Sequence, residues 1–228
     1  FGNGYGYVWK ASSIPASNSS IKNLNNGLAN TGRYFIPTEV LTVYDNTSGR
    51  LVPFASLSKN VQYPYISDMG EWYQLDVAGR IGYVYKPATK RPFESSDQYF
   101  KVNENYVSIY DNSSGSLKHV GYLNKGQVYP RIADYGDWHQ IKYGNAYGYV
   151  WKESTIPSSV NEIKNLNTGS FNTNRTFTTT DVLTVYDNSS GTLVPFASLS
   201  KGINYPFASD MGDWYKVDIS GRIGFVYK

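Results

Sequence analysis

The sequence predicts an all-β chain built from small closed barrels in tandem. Three observations carry this. The chain repeats itself internally, its apolar residues alternate in short runs between turn residues, and it is rich in aromatics, with 22 Tyr, 10 Phe and 5 Trp among 228 residues. Aromatics with many Gly, Ser and Asn suit short strands joined by tight turns.

The repeat is the strongest of the three. Block A spans 33–86 and block C spans 175–228; aligned without gaps they are identical at 37 of 54 positions. Block B, 98–152, is a more distant copy. A and C are offset by 142 residues, and so are "FGNGYGYVWK" (1–10) and "YGNAYGYVWK" (143–152). The segments after those phrases, 11–32 and 153–174, share the offset and the string "IKNLN". The period is therefore 142 residues: a B-type block, a Ser/Asn-rich connecting segment, an A-type block, and the linker "PATKRPFESSD" (87–97). On this reading residues 1–10 are the last arm of a preceding B-type block, cut from a longer array, followed by three complete barrels. A lone barrel strand is disordered unless paired, so "YGYVWK" is expected to lie against block A or another molecule.

Block C shows how each unit is read. In "DVLTVYD" (181–187), Leu183 and Val185 share one face, and Val182, Thr184 and Tyr186 the other. "NSSG" (188–191) is a turn. "TLVPFASL" is a second strand, where Pro195 demands an edge or a bulge, and "INYPFAS" a third, interrupted by Pro206. "DMGDWYKVDI" is a turn and a strand, "SGR" a tight hairpin, and "IGFVYK" the last strand. About five strands in so short a block close best into a little barrel, which removes the sheet edges.

Composition removes several function classes. The absence of Cys excludes disulfides, thiolate catalysis and zinc–thiolate sites. The formal charge of +3 is spread thinly: A and C each carry five basic and five acidic side chains, B six and four. No block offers the basic stripe that nucleic acid requires. No run approaches the apolar length of a membrane span. No signal peptide is present, so a secreted protein would be seen here as a processed or excised piece.

The ordered motifs resemble those of the bacterial SH3-like (Src-homology-3-type, SH3b) domains. Block B carries "GYLNKGQVY" (121–129), "GDWHQI" (136–141) and "AYGYVWK" (146–152). A carries "GEWYQL" (70–75) and "RIGYVYK" (80–86), and C carries "GDWYKV" (212–217) and "RIGFVYK" (222–228). In A and C, "FASLSKN" and "FASLSKG" depart from the family's G-x-L-x-K-G step. The resemblance covers roughly 163 of 228 residues. It implies a non-catalytic module that holds a secreted bacterial peptidoglycan hydrolase or surface protein on the cell wall, by peptide, glycan or associated polymer, in a Gram-positive organism. It implies no cofactor. The competing reading is a surface adhesin or spacer whose repeats bind a host glycan or protein.

Strand alternation nominates the ligand-binding residues. Trp72, Trp138 and Trp214 fall on the polar faces of their strands, and Tyr73, His139 and Tyr215 on the apolar faces. Tyr44, Tyr110 and Tyr186 lie opposite the apolar pairs of theirs. Displayed aromatics suit sugar rings and extended peptides, and the resemblance implies that such aromatics flank a groove. Asp45, Asp111 and Asp187, each following its Tyr, are candidates to orient a polar ligand. The same aromatics also serve as core in a barrel this small. "DNSSG" lacks the spaced acids of a calcium loop and is read as an Asx-turn. The two His, His119 and His139, are both in block B; His139 is read as a partly buried core residue and His119 as lying in a polar turn-like stretch. A catalytic triad needs a positioned base, and A and C have no His. The paired acids near each turn recur in every block, which is expected of structure or repeated binding more than of one active site.

Overall fold

Alternating runs between glycine-containing turns form strands throughout. The computed structural model describes residues 5–170 and 172–228, and the chain divides between Pro92 and Phe93 into two compact units. Block A contributes β1 (Tyr34–Pro37), β2 (Leu41–Asp45), β3 (Val52–Leu57), β4 (Tyr63–Pro64), β5 (Ser67–Asp68), β6 (Trp72–Val77), β7 (Arg80–Tyr85) and β8 (Thr89–Lys90). Block B contributes β9 (Tyr99–Val102), β10 (Tyr106–Asp111), β11 (Lys118–Asn124), β12 (Val128–Pro130), β13 (Ala133–Tyr135), β14 (Trp138–Tyr143), β15 (Ala146–Trp151) and β16 (Thr155–Ser158). Block C contributes β17 (Thr176–Thr178), β18 (Leu183–Asp187), β19 (Val194–Leu199), β20 (Asn204–Pro206), β21 (Ser209–Asp210), β22 (Trp214–Ile219) and β23 (Arg222–Tyr227).

The all-β class expected from the sequence is what forms; helix among the described residues is limited to five single 3₁₀ turns. Each block repeats one five-strand order: β3-β2-β7-β6-β5 in A, β11-β10-β15-β14-β13 in B, and β19-β18-β23-β22-β21 in C. A small second sheet completes each, such as β4-β1-β8 in A. The two residues of β8 thus put part of the expected linker into the sheet of block A, and β16 puts part of the expected connecting segment into that of block B.

Local sequence explains the details. Pro53 cannot donate to the ladder, and the β2–β3 pairing slips between Val43 and Tyr44 where Pro53 stands opposite. Pro195 stands likewise opposite Tyr186, at a bulge as its position demanded. Block B slips at the same place, between Ile109 and Tyr110 with His119 opposite, so the bulge belongs to the common block and accommodates the proline rather than being made by it. The "AGR" and "SGR" hairpins place both central residues at positive φ: 54° and 78° at Ala78 and Gly79, and 52° and 72° at Ser220 and Gly221. That is the type I′ turn matching strand twist. The "IKNLN" segment runs beside the last hairpin of the following block. Leu24 bridges to Arg80 and Leu166 to Arg222.

The largest departure from three separate barrels is in the second unit. Strands β11 and β19 pair antiparallel, Gly121 with Leu199 and Leu123 with Ala197. Tyr143 of β14 pairs with Ile219 of β22. Blocks B and C are thereby one ten-stranded sheet, eight strands of which close into a barrel. They also share one core, in which Phe100, Tyr129 and Ile141 of B pack with Phe196, Leu199 and Val226 of C. The physical reason is edge satisfaction: the third strand of each block exposes unpaired N–H and C=O groups, and joining two such edges satisfies both. Gly121 makes the approach possible, since a Cβ there would sit 2.5 Å from the Ser198 carbonyl oxygen.

The opening phrase differs as well. Phe1–Gly4 lie outside the described residues, and Tyr5–Trp9 form no strand. Tyr5 and Tyr7 are each 98% exposed, so "YGYVWK" does not lie against block A. Its equivalent in B, β15, pairs with β10 and β14 of its own block.

Candidate functional site

Alternation in β6 is realised as expected. Tyr73, Leu75 and Val77 are buried, while Trp72, Gln74 and Asp76 are half-buried on the other face. The sheet then brings the nominated aromatics together. β2 pairs with β7 at Tyr44 and Tyr83, and β6 pairs with β7 at Trp72 and Tyr85. Trp72 consequently sits between Tyr44, at 6.1 Å and 84°, and Tyr85, at 5.6 Å and 61°. Block B repeats this with Trp138 between Tyr110 (5.7 Å, 90°) and Trp151 (4.9 Å, 76°). Block C repeats it with Trp214 between Tyr186 (6.2 Å, 81°) and Tyr227 (5.2 Å, 72°). Edge-to-face geometry of this kind locks each indole by its quadrupole and leaves part of its face to solvent. Sequence reasoning missed the third member of each set. The signal was present: Tyr85, Trp151 and Tyr227 close their last strands and stand opposite the Trp once the "GR" hairpin register is drawn.

A groove opens beside the Trp in two blocks. In A it is lined by Asn46, Gly49, Leu51, Met69, Trp72 and Tyr83 and encloses about 310 Å³. In C it is lined by Asn188, Leu193, Met211, Trp214 and Phe225 and encloses about 320 Å³. Both offer one Asn and an exposed Leu and Met, with no carboxylate or cation in the lining. Block B has Tyr135 where A and C have Met, and its ring packs edge-on against Tyr149 at 6.0 Å. The floor differs too. Gln74 Nε2 donates to the Tyr83 hydroxyl at 3.2 Å, and Gln140 Nε2 to that of Tyr149 at 3.3 Å. In C both partners change together, to Lys216 and Phe225, and Lys216 Nζ donates to the Ser170 hydroxyl instead.

The three Asp are engaged locally. Asp45, Asp111 and Asp187 each accept the N–H two residues on, from Thr47, Ser113 and Ser189, all at 2.8 Å. These are the Asx-turns read from "DNSSG". Asp45 also faces Arg80 at 3.7 Å, and Asp187 faces Arg222 at 3.6 Å. Asp45 and Asp187 thus brace the turn after their strand and hold the arginine, whereas Asp111 has no arginine beside it among the described residues and lines a separate pocket with Val120, Tyr143 and Tyr205.

A cation–carboxylate pair stands beside each aromatic set. Lys86 bridges Asp68 at 2.5 Å, Lys152 bridges Asp134 at 3.1 Å, and Lys228 bridges Asp210. The Lys86 hydrogen bond holds the Asp68 carboxyl below its ordinary range, and Lys228 does the same for Asp210.

His139 is fully buried, stacked on Phe100 at 4.6 Å, with Nε2 3.0 Å from the Thr155 hydroxyl. Burial, reinforced by the positive charge of Arg131, pushes its pKa down to about 4. His119 lies in strand β11 rather than in a turn, between Tyr110 and Tyr122, with Nδ1 3.0 Å from the Ser200 hydroxyl of block C. Among the described residues no three His, Cys, Asp or Glu gather to hold a metal ion, and no helix is long and apolar enough to cross a membrane.

No protein-family model matches the chain, and no curated protein matches it. Among solved structures, NlpC2 from Trichomonas vaginalis aligns with a TM-score of 0.23 and 10% identity, over 86% of this chain and 92% of that one. NlpC1 from Trichomonas vaginalis aligns with a TM-score of 0.24 and 10% identity, over 89% and 90%. At such TM-scores the likeness carries no argument about fold or activity.

Proposed function

We propose that the chain is a non-catalytic cell-wall-binding array of SH3-like blocks. Its aromatic grooves take peptidoglycan, through peptide or glycan, or an associated wall polymer, and hold a secreted bacterial hydrolase or surface protein at the wall. The observation that carries this reading is the threefold recurrence of the Tyr–Trp–aromatic set on one sheet face, with near-identical open grooves in A and C. The five-strand order common to all three blocks supports the SH3-like reading. Rigid aromatics supply contact area at small entropic cost, and the uncharged lining suits sugar rings or an extended peptide better than a phosphate. Two equal weak sites on one chain also gain by avidity.

Sedimentation with purified sacculi at physiological salt tests this. The chain co-sediments, Trp72→Ala or Trp214→Ala weakens retention by about tenfold each, and the double variant is not retained. No enrichment over a non-binding control protein sinks the proposal. A glycan-array signal without sacculus retention moves the reading to a host-directed adhesin.

A further inference from the structure

We infer that block A carries a second docking face, separate from its aromatic groove, and that its occupant is a B-type block. The joint between B and C supplies the template. Arg222 of C reaches into B: Nη1 donates to the Gln127 side chain at 3.1 Å and to the Val128 carbonyl at 3.0 Å, and the guanidinium covers the rings of Tyr129 and Phe196. The Tyr129 hydroxyl donates to the Phe196 carbonyl, and the Tyr205 hydroxyl to the Val120 carbonyl. Lys142 pairs with Asp218 at 2.8 Å. His119 meets the Ser200 hydroxyl, and the β11–β19 ladder runs alongside.

Block A keeps the C side of this joint. The residues equivalent to Phe196, Ser198, Ser200, Tyr205, Asp218 and Arg222 are Phe54, Ser56, Ser58, Tyr63, Asp76 and Arg80, each of the same type 142 positions earlier. Arg80 is held in the same pose: Nε donates to Asn23 at 2.7 Å as Arg222 Nε does to Asn165, and it covers the Phe54 ring at 4.1 Å. What differs is the cover. The Arg80 side chain is 31% exposed against 3% for Arg222, Phe54 and Ala55 are half-buried where Phe196 and Ala197 are sealed, and β3 is the edge of its five-stranded sheet.

The occupant is specified by the same template. The strand that pairs with β3 needs a glycine at the Gly121 position, because any Cβ there meets a backbone carbonyl. It also needs a following Val-Tyr to receive the arginine and a Lys at the Lys142 position for Asp76. Those are B-type features. The tether is in place as well: residues 5–10 repeat 147–152, the 3₁₀ turn Lys10–Ser12 repeats Lys152–Ser154, and Leu24 bridges to Arg80 as Leu166 does to Arg222.

The test uses the full chain with residues 93–142 duplicated ahead of residue 1, so that a complete B-type block runs into residues 1–10. Amide hydrogen exchange of β3 (Val52–Leu57) is compared in the original chain, the extended chain, and the extended chain carrying Gly121→Val in the duplicate only. The expected result is at least about tenfold slower β3 exchange in the extended chain, as a monomer, and none of that protection with G121V in the duplicate. Unchanged β3 exchange on extension, protection that survives G121V, or protection found only in a dimer that has unpaired β19 overturns the inference. The readout involves no wall ligand, so it stands or falls apart from the binding proposal.

Discussion

At the scale of single residues, two chemistries are separated by strand alternation. The Trp of each block begins its strand on the open face, while the next residue is buried in A and B and half-buried against the core in C. In A and C that next residue is Tyr73 or Tyr215; in B it is His139. The substitution has a pH signature. A buried imidazole with its pKa near 4, against about 6.5 in the unfolded chain, is held neutral by the fold. Its contribution is therefore fully present above pH 6.5 and is lost as pH falls from there toward 4. The loss approaches about 3 kcal/mol, or roughly 10 °C in the Tm of the second unit. His139→Tyr, the residue used by the other blocks, removes this share of the acid sensitivity. Calorimetry of both chains between pH 7 and pH 4 checks it, and parallel pH profiles would refute it. The groove-lining Met69 gives a second prediction. Met69→Lys places a charge in an uncharged lining and lowers sacculus retention about tenfold, with little change in Tm because the side chain is exposed.

At the scale of elements, glycines decide which strands approach. A Cβ on Gly82 would stand 2.3 Å from Val43 Cγ1, and one on Gly224 2.3 Å from Val185 Cγ1. Gly82→Ala therefore overpacks the β2–β7 crossing and costs about 1–3 kcal/mol, read as a lower transition for the first unit in urea. The joint strand is more sensitive. Gly121→Val meets the Tyr143 hydroxyl, 2.8 Å away, and the Ser198 backbone carbonyl, 2.5 Å away, which has no side-chain rotation by which to yield. We expect it to destabilise the second unit by more than about 3 kcal/mol and to raise exchange in both β11 and β19. Loss confined to β11 would mean that the two blocks are coupled less than their shared ladder implies.

At the scale of the molecule, the repeat is not the cooperative unit. B and C share a sheet, a core and the Arg222 network, so they unfold in one calorimetric transition. Truncating the chain after Glu162, which keeps β16 and its pairing with β9, leaves β11 as an open edge with Val120, Leu123 and Tyr129 uncovered. The remaining B block is expected to lose cooperative melting or to aggregate. A sharp, independent transition for B in that truncated chain would show that the joint is incidental. The alternation of two block types, which the sequence displays as a 142-residue period, thus has a physical meaning in this unit: one B-type and one A-type block make one barrel.

Much of this was legible in the sequence. The strand class, the blocks, the bulges opposite Pro53 and Pro195, the "GR" hairpins and the inward or outward sense of Trp72 and His139 all follow from local rules. Alternation, proline's missing donor and glycine's positive φ act within a few residues. The Tyr–Trp half of each aromatic set was likewise readable, because a period of two assigns faces. Other features depended on which backbones meet. The third aromatic of each set needed the β6–β7 register. That Tyr5–Trp9 stay exposed and form no strand, where the equivalent β15 pairs with β10 and β14, was visible only in the fold. The union of B and C needed two edge strands, seventy or more residues apart in sequence, to find each other across a glycine. The sequence by itself determined the strands and their faces, since those are set by steric and hydrogen-bonding limits on neighbouring residues. Only the tertiary structure decided which edges close on which, because edge pairing is settled by the complementarity of whole surfaces.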